Sequence, residues 1–212
     1  MTSVKIEMIH DLVCSWCPIG YQNLSTAIDR LEGYIDVSIE FLPFQLNPDM
    51  PYEGENINDH LARRMKKSPA ELAEYRRNLL EVAGKAGVTF DFDKRTHYYN
   101  SFKAHCLLNA AQKHGQQRDA LRLLHRAYYQ EGQNLSDESL LAKIAKDIGG
   151  DSLLEFALSP SNIEETAAKE TKARALNVQS VPAFIIDGQY LFHGSNSVEY
   201  FIDMLLKNSK AA

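Results

Sequence analysis

The chain is poor in cysteine, in positive charge and in long apolar runs, and each shortage closes a class of function. Three cysteines in 212 residues are too few for the disulfide framework of a small secreted domain. An odd count also leaves one thiol over, whatever the others do. Basic residues number 23 against 28 acidic ones, a formal net charge of −5, so no overall positive field draws the chain to nucleic acid or an anionic membrane. No apolar run approaches the roughly 18 residues of a membrane span. The amino terminus MTSVKIEMIHDLV shows no apolar stretch behind a basic start, the pattern an export signal needs. The expected setting is the cytoplasm, with neither nucleic acid nor membrane as partner and the oligomeric state open. The basic cluster Arg63, Arg64, Lys66 and Lys67 reads as a solvated helix face, because Glu71 and Glu74 follow it directly.

What is present is an ordered succession of patterns. Residues 4–13 alternate apolar and polar over their first half and read as a strand; residues 17–31 carry Ile19, Leu24, Ala27, Ile28 and Leu31 at helical spacing. Pro18 fits that helix's first turn, where its missing donor costs nothing. Residues 35–41 alternate again, so strand, helix and strand form a right-handed βαβ unit with parallel strands. From residue 57 the pattern is helical for more than half the chain. Segments 57–66, 69–86, 96–114, 117–131, 137–148, 151–158 and 161–176 are punctuated by glycines and Ser-Pro pairs. Ser136 is the expected cap of the helix beginning at Asp137. The ending returns to strands, 183–186 and 189–192 around a two-residue Asp187-Gly188 turn, followed by a helix over 197–207. Residues 1–55 and 177–212 therefore form one discontinuous α/β domain, and 56–176 a helical insertion.

Two cysteines, Cys14 and Cys17, stand three apart where the first strand meets the first helix. That spacing lets two sulfurs be bridged across one helical turn. In a reducing compartment such a pair is catalytic or metal-binding. Cys14 precedes the helix and meets its unpaired N–H groups and positive dipole end, so its thiol is expected to ionise below the ~8.5 of a free cysteine. It is the candidate nucleophile; Cys17, one turn further in, is the candidate resolving thiol. Ser15 and Trp16 between them add no positive charge, and Trp16 offers an apolar plate for a substrate or packs at the rim. As a zinc site the pair supplies two of four ligands, with no second compact Cys/His pair beside it. Far along the chain, Ser180-Val181-Pro182-Ala183 opens the last hairpin with a proline at a strand start.

Together, the stretches 11–17 (DLVCSWC), 44–48 (FQLNP), 100–105 (NSFKAH), 180–184 (SVPAF) and His193-Gly194 give a chain that resembles the DsbA-like family of thioredoxin-fold proteins. It is similar in particular to the cytoplasmic FrnE-type branch, related to 2-hydroxychromene-2-carboxylate isomerases and kappa-class glutathione transferases. The resemblance implies an α/β, thioredoxin-like fold with a large all-helical insertion. It implies protein dithiol–disulfide oxidoreductase or isomerase activity through Cys14 and Cys17, with no cofactor beyond that redox-active pair and glutathione as a possible co-substrate. The partner is then a thiol- or disulfide-bearing protein or small molecule. It further implies that Val181-Pro182 is a cis peptide lying against the sulfurs, that the backbone of Val181 pairs with an extended substrate, and that the proline keeps further metal ligands away. Asn100 and His105 match the family's pattern on a helix that faces the cleft. The related isomerases and transferases typically have serine at the nucleophile position; the cysteine here favours dithiol chemistry.

The remaining residues have plainer readings. Cys106, on an apolar-rich helix, reads as a buried free thiol, at a position that is usually basic in the resembling family. His10 and Asp11 stand just before Cys14, and either assists proton transfer only if it faces the sulfurs; a structural role is favoured. Two rival functions stay open: a glutathione-dependent isomerase or transferase acting on a small aromatic or polyketide-like substrate, and a non-catalytic chaperone-like protein that binds unfolded chains near Trp16.

Overall fold

The computed structural model describes residues 2–209. They divide into two compact units, one running to Phe44 and resuming at Lys169, the other Gln45–Ala168.

The first unit is built on a four-stranded sheet in the order β2-β1-β5-β6. Strand β1 (Thr2–His10) runs parallel to β2 (Ile35–Pro43), with α1 (Trp16–Arg30) as the crossover. Val4, Ile6, Met8 and Ile9 of β1 are at most 1% exposed, as expected of a strand paired on both edges and covered on both faces. On one face, Met8 sits beside Phe41 and Phe184. The ring of Tyr21 on α1 meets Phe41 at 5.5 Å, and Phe201 of the last helix meets Phe184 at 5.0 Å. The neighbouring positions Glu7 and Glu40 point to the opposite face. There Glu40 pairs with Lys5 at 2.7 Å and Lys169 at 3.0 Å, and Glu7 with Lys172 at 2.8 Å.

Strands β5 (Ala183–Ile186) and β6 (Tyr190–His193) form the closing hairpin, before α9 (Val198–Ser209). Asp187 and Gly188 both adopt positive φ, 48° and 70°, as a tight hairpin turn requires. The register nevertheless pairs Ile186 with Tyr190, so the connection has three residues where the sequence pattern predicts two. The turn around Asp187-Gly188 is closed by the Gln189 N–H on the Ile186 carbonyl at 3.0 Å, and Asp187 is also held by β1: its N–H donates to the Lys5 carbonyl at 2.9 Å, and its carboxylate accepts the Lys5 N–H at 2.7 Å.

The second unit is mainly helical. A short antiparallel ladder, β3 (Glu55–Asn56) with β4 (His97–Tyr98), brackets α2 (Ile57–Met65) and α3 (Pro69–Lys85). Then come α4 (Phe102–Lys113), α5 (Gln117–His125) running into a π-helical turn at 126–130, α6 (Glu138–Gly149) and α7 (Ser152–Ala157). Ser68 and Glu71 start α3 with a reciprocal capping box, and Pro69 fills its first position. The predicted helix over 96–114 begins only at Phe102, because 97–98 is drawn into the ladder. The expected cap Ser136 is replaced by Asp137, whose carboxylate accepts the Ser139 N–H at 2.8 Å; the Ser136 hydroxyl instead donates to the Asn100 carbonyl. Arg95, 2% exposed, lies over the rings of Tyr128 at 4.6 Å and Tyr129 at 4.8 Å, an apolar lining a guanidinium tolerates through its attraction to π-faces.

Helix α8 (Pro160–Ala175) passes from the second unit into the first at Lys169. Its last turns belong with the sheet because Lys169 and Lys172 reach Glu40 and Glu7. Among the described residues no helix is long and apolar enough to cross a membrane.

Candidate active site

The chain leaves β1 at His10 and enters α1 at Trp16 through two successive turns. The Cys14 N–H donates to the Asp11 carbonyl at 3.1 Å, and the Cys17 N–H to the Cys14 carbonyl at 3.0 Å. The Asp11 carboxylate, fully buried, accepts the Val13 N–H at 3.2 Å. Ser15 occupies the cap position of α1 but makes no side-chain cap bond. The first donors of the helix are thus left for Cys14, immediately ahead of it.

Cys14, Cys17 and Cys106 are free thiols, and all three are buried. Cys14 ionises more readily than an ordinary thiol. The chief cause is the hydrogen bond from the Cys17 thiol; the backbone N–H groups of Trp16 and Cys17 add to it, while burial and the Asp11 charge oppose it. Cys17 is pushed the other way, well above the usual thiol range, by burial first and then by its bond to Cys14. Of the two sulfurs, Cys14 is therefore the one favoured to ionise first, and Cys17 the one favoured to keep its proton. With 7% of its surface exposed, Cys14 is the outer sulfur; Cys17 is fully enclosed.

Opposite the pair stands the start of β5. The protonated Cys14 thiol donates to the Val181 carbonyl at 3.5 Å, and the Val181–Pro182 peptide is cis. The Pro182 carbonyl is held in turn by the Gly194 N–H at 2.8 Å. Trp16 is half-buried, and its carbonyl accepts the Ser195 hydroxyl at 2.6 Å. Cys14, Trp16, Cys17, Val181 and Pro182 thus come together within one unit, from segments more than 160 residues apart in sequence.

Asn100 and His105 belong to the helical unit. The Asn100 amide donates to the Pro48 carbonyl at 2.9 Å while its oxygen accepts the Phe102 N–H at 2.9 Å, so the side chain fixes the entry to α4. His105, 2% exposed, lies inside α4. His10 is buried with its ring 5.1 Å from Phe41, and its carbonyl accepts the Phe44 N–H at 2.9 Å. The charge of Asp11 disfavours both thiolates.

Cys106 lies on α4 between Ala104 and Leu107-Leu108, and burial pushes its thiol up to about 11 against a partial offset from the Thr166 hydroxyl. Its carbonyl takes a hydrogen bond at 3.0 Å from Asn162, which is fully buried and also serves Ala157 and Asn109. Among the described residues no group of three or more His, Cys, Asp and Glu side chains is arranged to hold a metal ion.

Two residues at this site are absent from the sequence reading, Gly20 and Ser195. A Cβ on Gly20 would stand 2.9 Å from Pro182 Cγ, so only glycine lets the proline lie this close to α1. A glycine inside a helix, about 1 kcal/mol worse than alanine, was its one sequence signal.

Comparison with known proteins bears on the family and the fold. Residues 5–205 match the family described as the DSBA-like thioredoxin domain. The chain is 24% identical over 206 residues to the uncharacterized protein YwbO of Bacillus subtilis (strain 168), covering 94% of each. Its fold is similar to that of the probable DsbA oxidoreductase SCO1869 from Streptomyces coelicolor, with TM-score 0.85, 22% identity, and 96% and 89% of the two chains covered. The cytosolic disulfide reductase DsbM from Pseudomonas aeruginosa matches with TM-score 0.64 at 18% identity, over 98% and 100%.

Proposed function

The chain belongs to the DsbA-like thioredoxin-domain family, and from that premise we propose that it is a thiol–disulfide oxidoreductase working through Cys14 and Cys17. The observation that carries the reading is the placement of two free thiols at the start of α1, the outer one, Cys14, 3.5 Å from the Val181 carbonyl beside the cis Val181–Pro182 peptide and the inner one, Cys17, fully enclosed; the surroundings favour ionisation of Cys14 and oppose that of Cys17. An attacking sulfur needs to be ionised and reachable; a resolving sulfur needs to keep its proton until the first bond has formed.

In the reductive direction the Cys14 thiolate attacks one sulfur of a substrate disulfide. A Cys14–substrate disulfide forms, the substrate S–S bond breaks, and the other substrate sulfur leaves as a thiolate that takes up a proton. Loss of negative charge at Cys14 removes one of the causes that hold the proton on Cys17, leaving burial to oppose its release. Cys17 then gives up its proton and attacks Cys14 Sγ, closing the Cys14–Cys17 disulfide and releasing the second substrate thiol. The substrate gains two electrons and the pair loses two. The reverse sequence oxidises a substrate dithiol.

Val181 and Pro182 are the proposed seat of the substrate chain, supported by the approach of the Val181 carbonyl to Cys14. Trp16, half-buried beside the sulfurs, is its proposed apolar contact. Glutathione is the proposed co-substrate that resets the pair, in a cytoplasmic setting.

Insulin reduction driven by dithiothreitol tests the assignment. Cys14→Ser is expected to lose the catalysed rate, leaving only the background of the reductant. Unchanged activity in that variant would sink the nucleophile assignment.

A further inference from the structure

Ser195 and Gly20 take no part in the exchange steps above, yet Ser195 meets α1 at its first turn, next to the sulfurs, and Gly20 lies one turn further along that helix. The Ser195 hydroxyl donates to the Trp16 carbonyl at 2.6 Å. That carbonyl and the Cys17 N–H belong to one planar peptide unit and point in opposite directions. Holding the oxygen therefore fixes where the N–H points. The Cys17 N–H is directed at Cys14: it donates to the Cys14 carbonyl at 3.0 Å, and it also favours the Cys14 thiolate, as the weakest of the groups that do so.

The loop that carries Ser195 is itself pinned. Gly194 donates to the Pro182 carbonyl at 2.8 Å, and the Asn196 amide donates to the His193 carbonyl at 3.0 Å and the Gly194 carbonyl at 3.1 Å. Asn23 of α1 donates to the Asn196 carbonyl at 2.9 Å. Trp16, Gly20 and Asn23 recur at the spacing of one helix face, and that face is the one the loop lies on. Gly20 supplies the clearance: a Cβ there would stand 3.3 Å from Ser195 Oγ as well as 2.9 Å from Pro182 Cγ.

We propose that Ser195 is a positioning residue of the Cys14–Cys17 centre: its hydroxyl fixes the Trp16–Cys17 peptide so that the Cys17 N–H stays aimed at Cys14, in the space that Gly20 leaves open. A hydrogen bond on the carbonyl also polarises the peptide and strengthens its N–H as a donor, by about 10–30% in condensed-phase terms. The Cys14 thiolate gains on both counts. The role rests on the reading of Cys14 as the attacking sulfur, but it is measurable without any substrate.

The experiment follows alkylation of Cys14 by iodoacetamide in the reduced protein across pH, reading the Cys14 peptide by mass. Wild type is compared with Ser195→Ala and with the equally shaped pair Ser195→Thr and Ser195→Val. The alanine and valine variants are expected to shift the profile to higher pH and to slow alkylation near pH 6 about threefold, well within what one net hydrogen bond contributes. The threonine variant, which keeps the hydroxyl, is expected to follow wild type. Should Ser195→Ala fail to fold, the threonine and valine variants decide between them. Profiles for alanine and valine that coincide with wild type would overturn the proposal, as would a threonine variant slowed as much as valine. Insulin reduction by Cys14→Ser reports separately on the exchange reading, so either idea can fail while the other stands.

Discussion

Cys14 and Cys106 are both buried cysteines, and their surroundings drive them in opposite directions. Cys106 sits in the middle of α4, where the backbone donors of the helix are committed to its own carbonyls and burial outweighs the one Thr166 hydroxyl; its thiol is pushed up to about 11. Cys14 sits two residues before the start of α1, where N–H groups of the first turn have no side-chain cap and a second thiol supplies its own hydrogen. Enclosure alone therefore does not set a thiol's acidity. The deciding difference is the supply of donors: the Cys17 thiol first and then first-turn N–H groups for Cys14, against the Thr166 hydroxyl alone for Cys106, which does not offset its burial.

Removing the second thiol breaks the comparison most directly. In Cys17→Ala the largest cause of Cys14's acidity disappears. A hydrogen bond to a charged group contributes about 1.5–3 kcal/mol, so Cys14 alkylation near neutral pH is expected to slow by about tenfold or more. The same variant is expected to accumulate a Cys14–substrate mixed disulfide that gel electrophoresis under non-reducing conditions detects. Full turnover without Cys17 would instead favour glutathione-dependent isomerase or transferase chemistry.

Cys106 tests the other side. Its folded-state thiol ionises near pH 11 against 9.0 for an ordinary one. The unfolded chain thus releases this proton first, and the stability it contributes is fully present below pH 9 and lost as pH rises toward 11. The full linkage amounts to roughly 2–3 kcal/mol. Urea unfolding of wild type and Cys106→Ala at pH 8 and pH 10.5 is expected to show a steeper alkaline loss in wild type. Equal slopes would mean that the Cys106 environment is not the apolar one described. Insulin reduction at pH 7 is expected to stay near the wild-type rate in Cys106→Ala.

How far the two environments could be read from sequence follows the same division between local and distant causes. Residues 4–41 announce strand, helix and strand through their own alternation, and Cys14 and Cys17 announce themselves because a helix start is a local event. The β3–β4 ladder does not, since His97 and Tyr98 look helical until Glu55 and Asn56 pair with them. Helix α8 looks like one element of the insertion, yet Lys169 and Lys172 tie its end to glutamates on β2 and β1. Ser195 could not be read at all: its partner carbonyl is 179 positions away, and a serine in a Gly-Ser-Asn loop is an ordinary turn residue without it.

The smallest expected effect sharpens the comparison by separating stability from acidity. Ser68 closes the capping box of α3 in the helical unit: its hydroxyl oxygen accepts the Glu71 N–H at 3.4 Å, while the Glu71 carboxylate accepts the Ser68 N–H at 2.8 Å. Ser68→Ala removes the hydroxyl and is expected to cost about 1 kcal/mol of unfolding free energy in urea. The donors that favour the Cys14 thiolate come from α1 and from Cys17, and α3 contributes none of them. The pH profile of Cys14 alkylation is therefore expected to coincide with wild type in this variant. A displaced profile would mean that thiol acidity follows the overall stability of the fold, and the local account of Cys14, with its contrast to Cys106, would have to be abandoned.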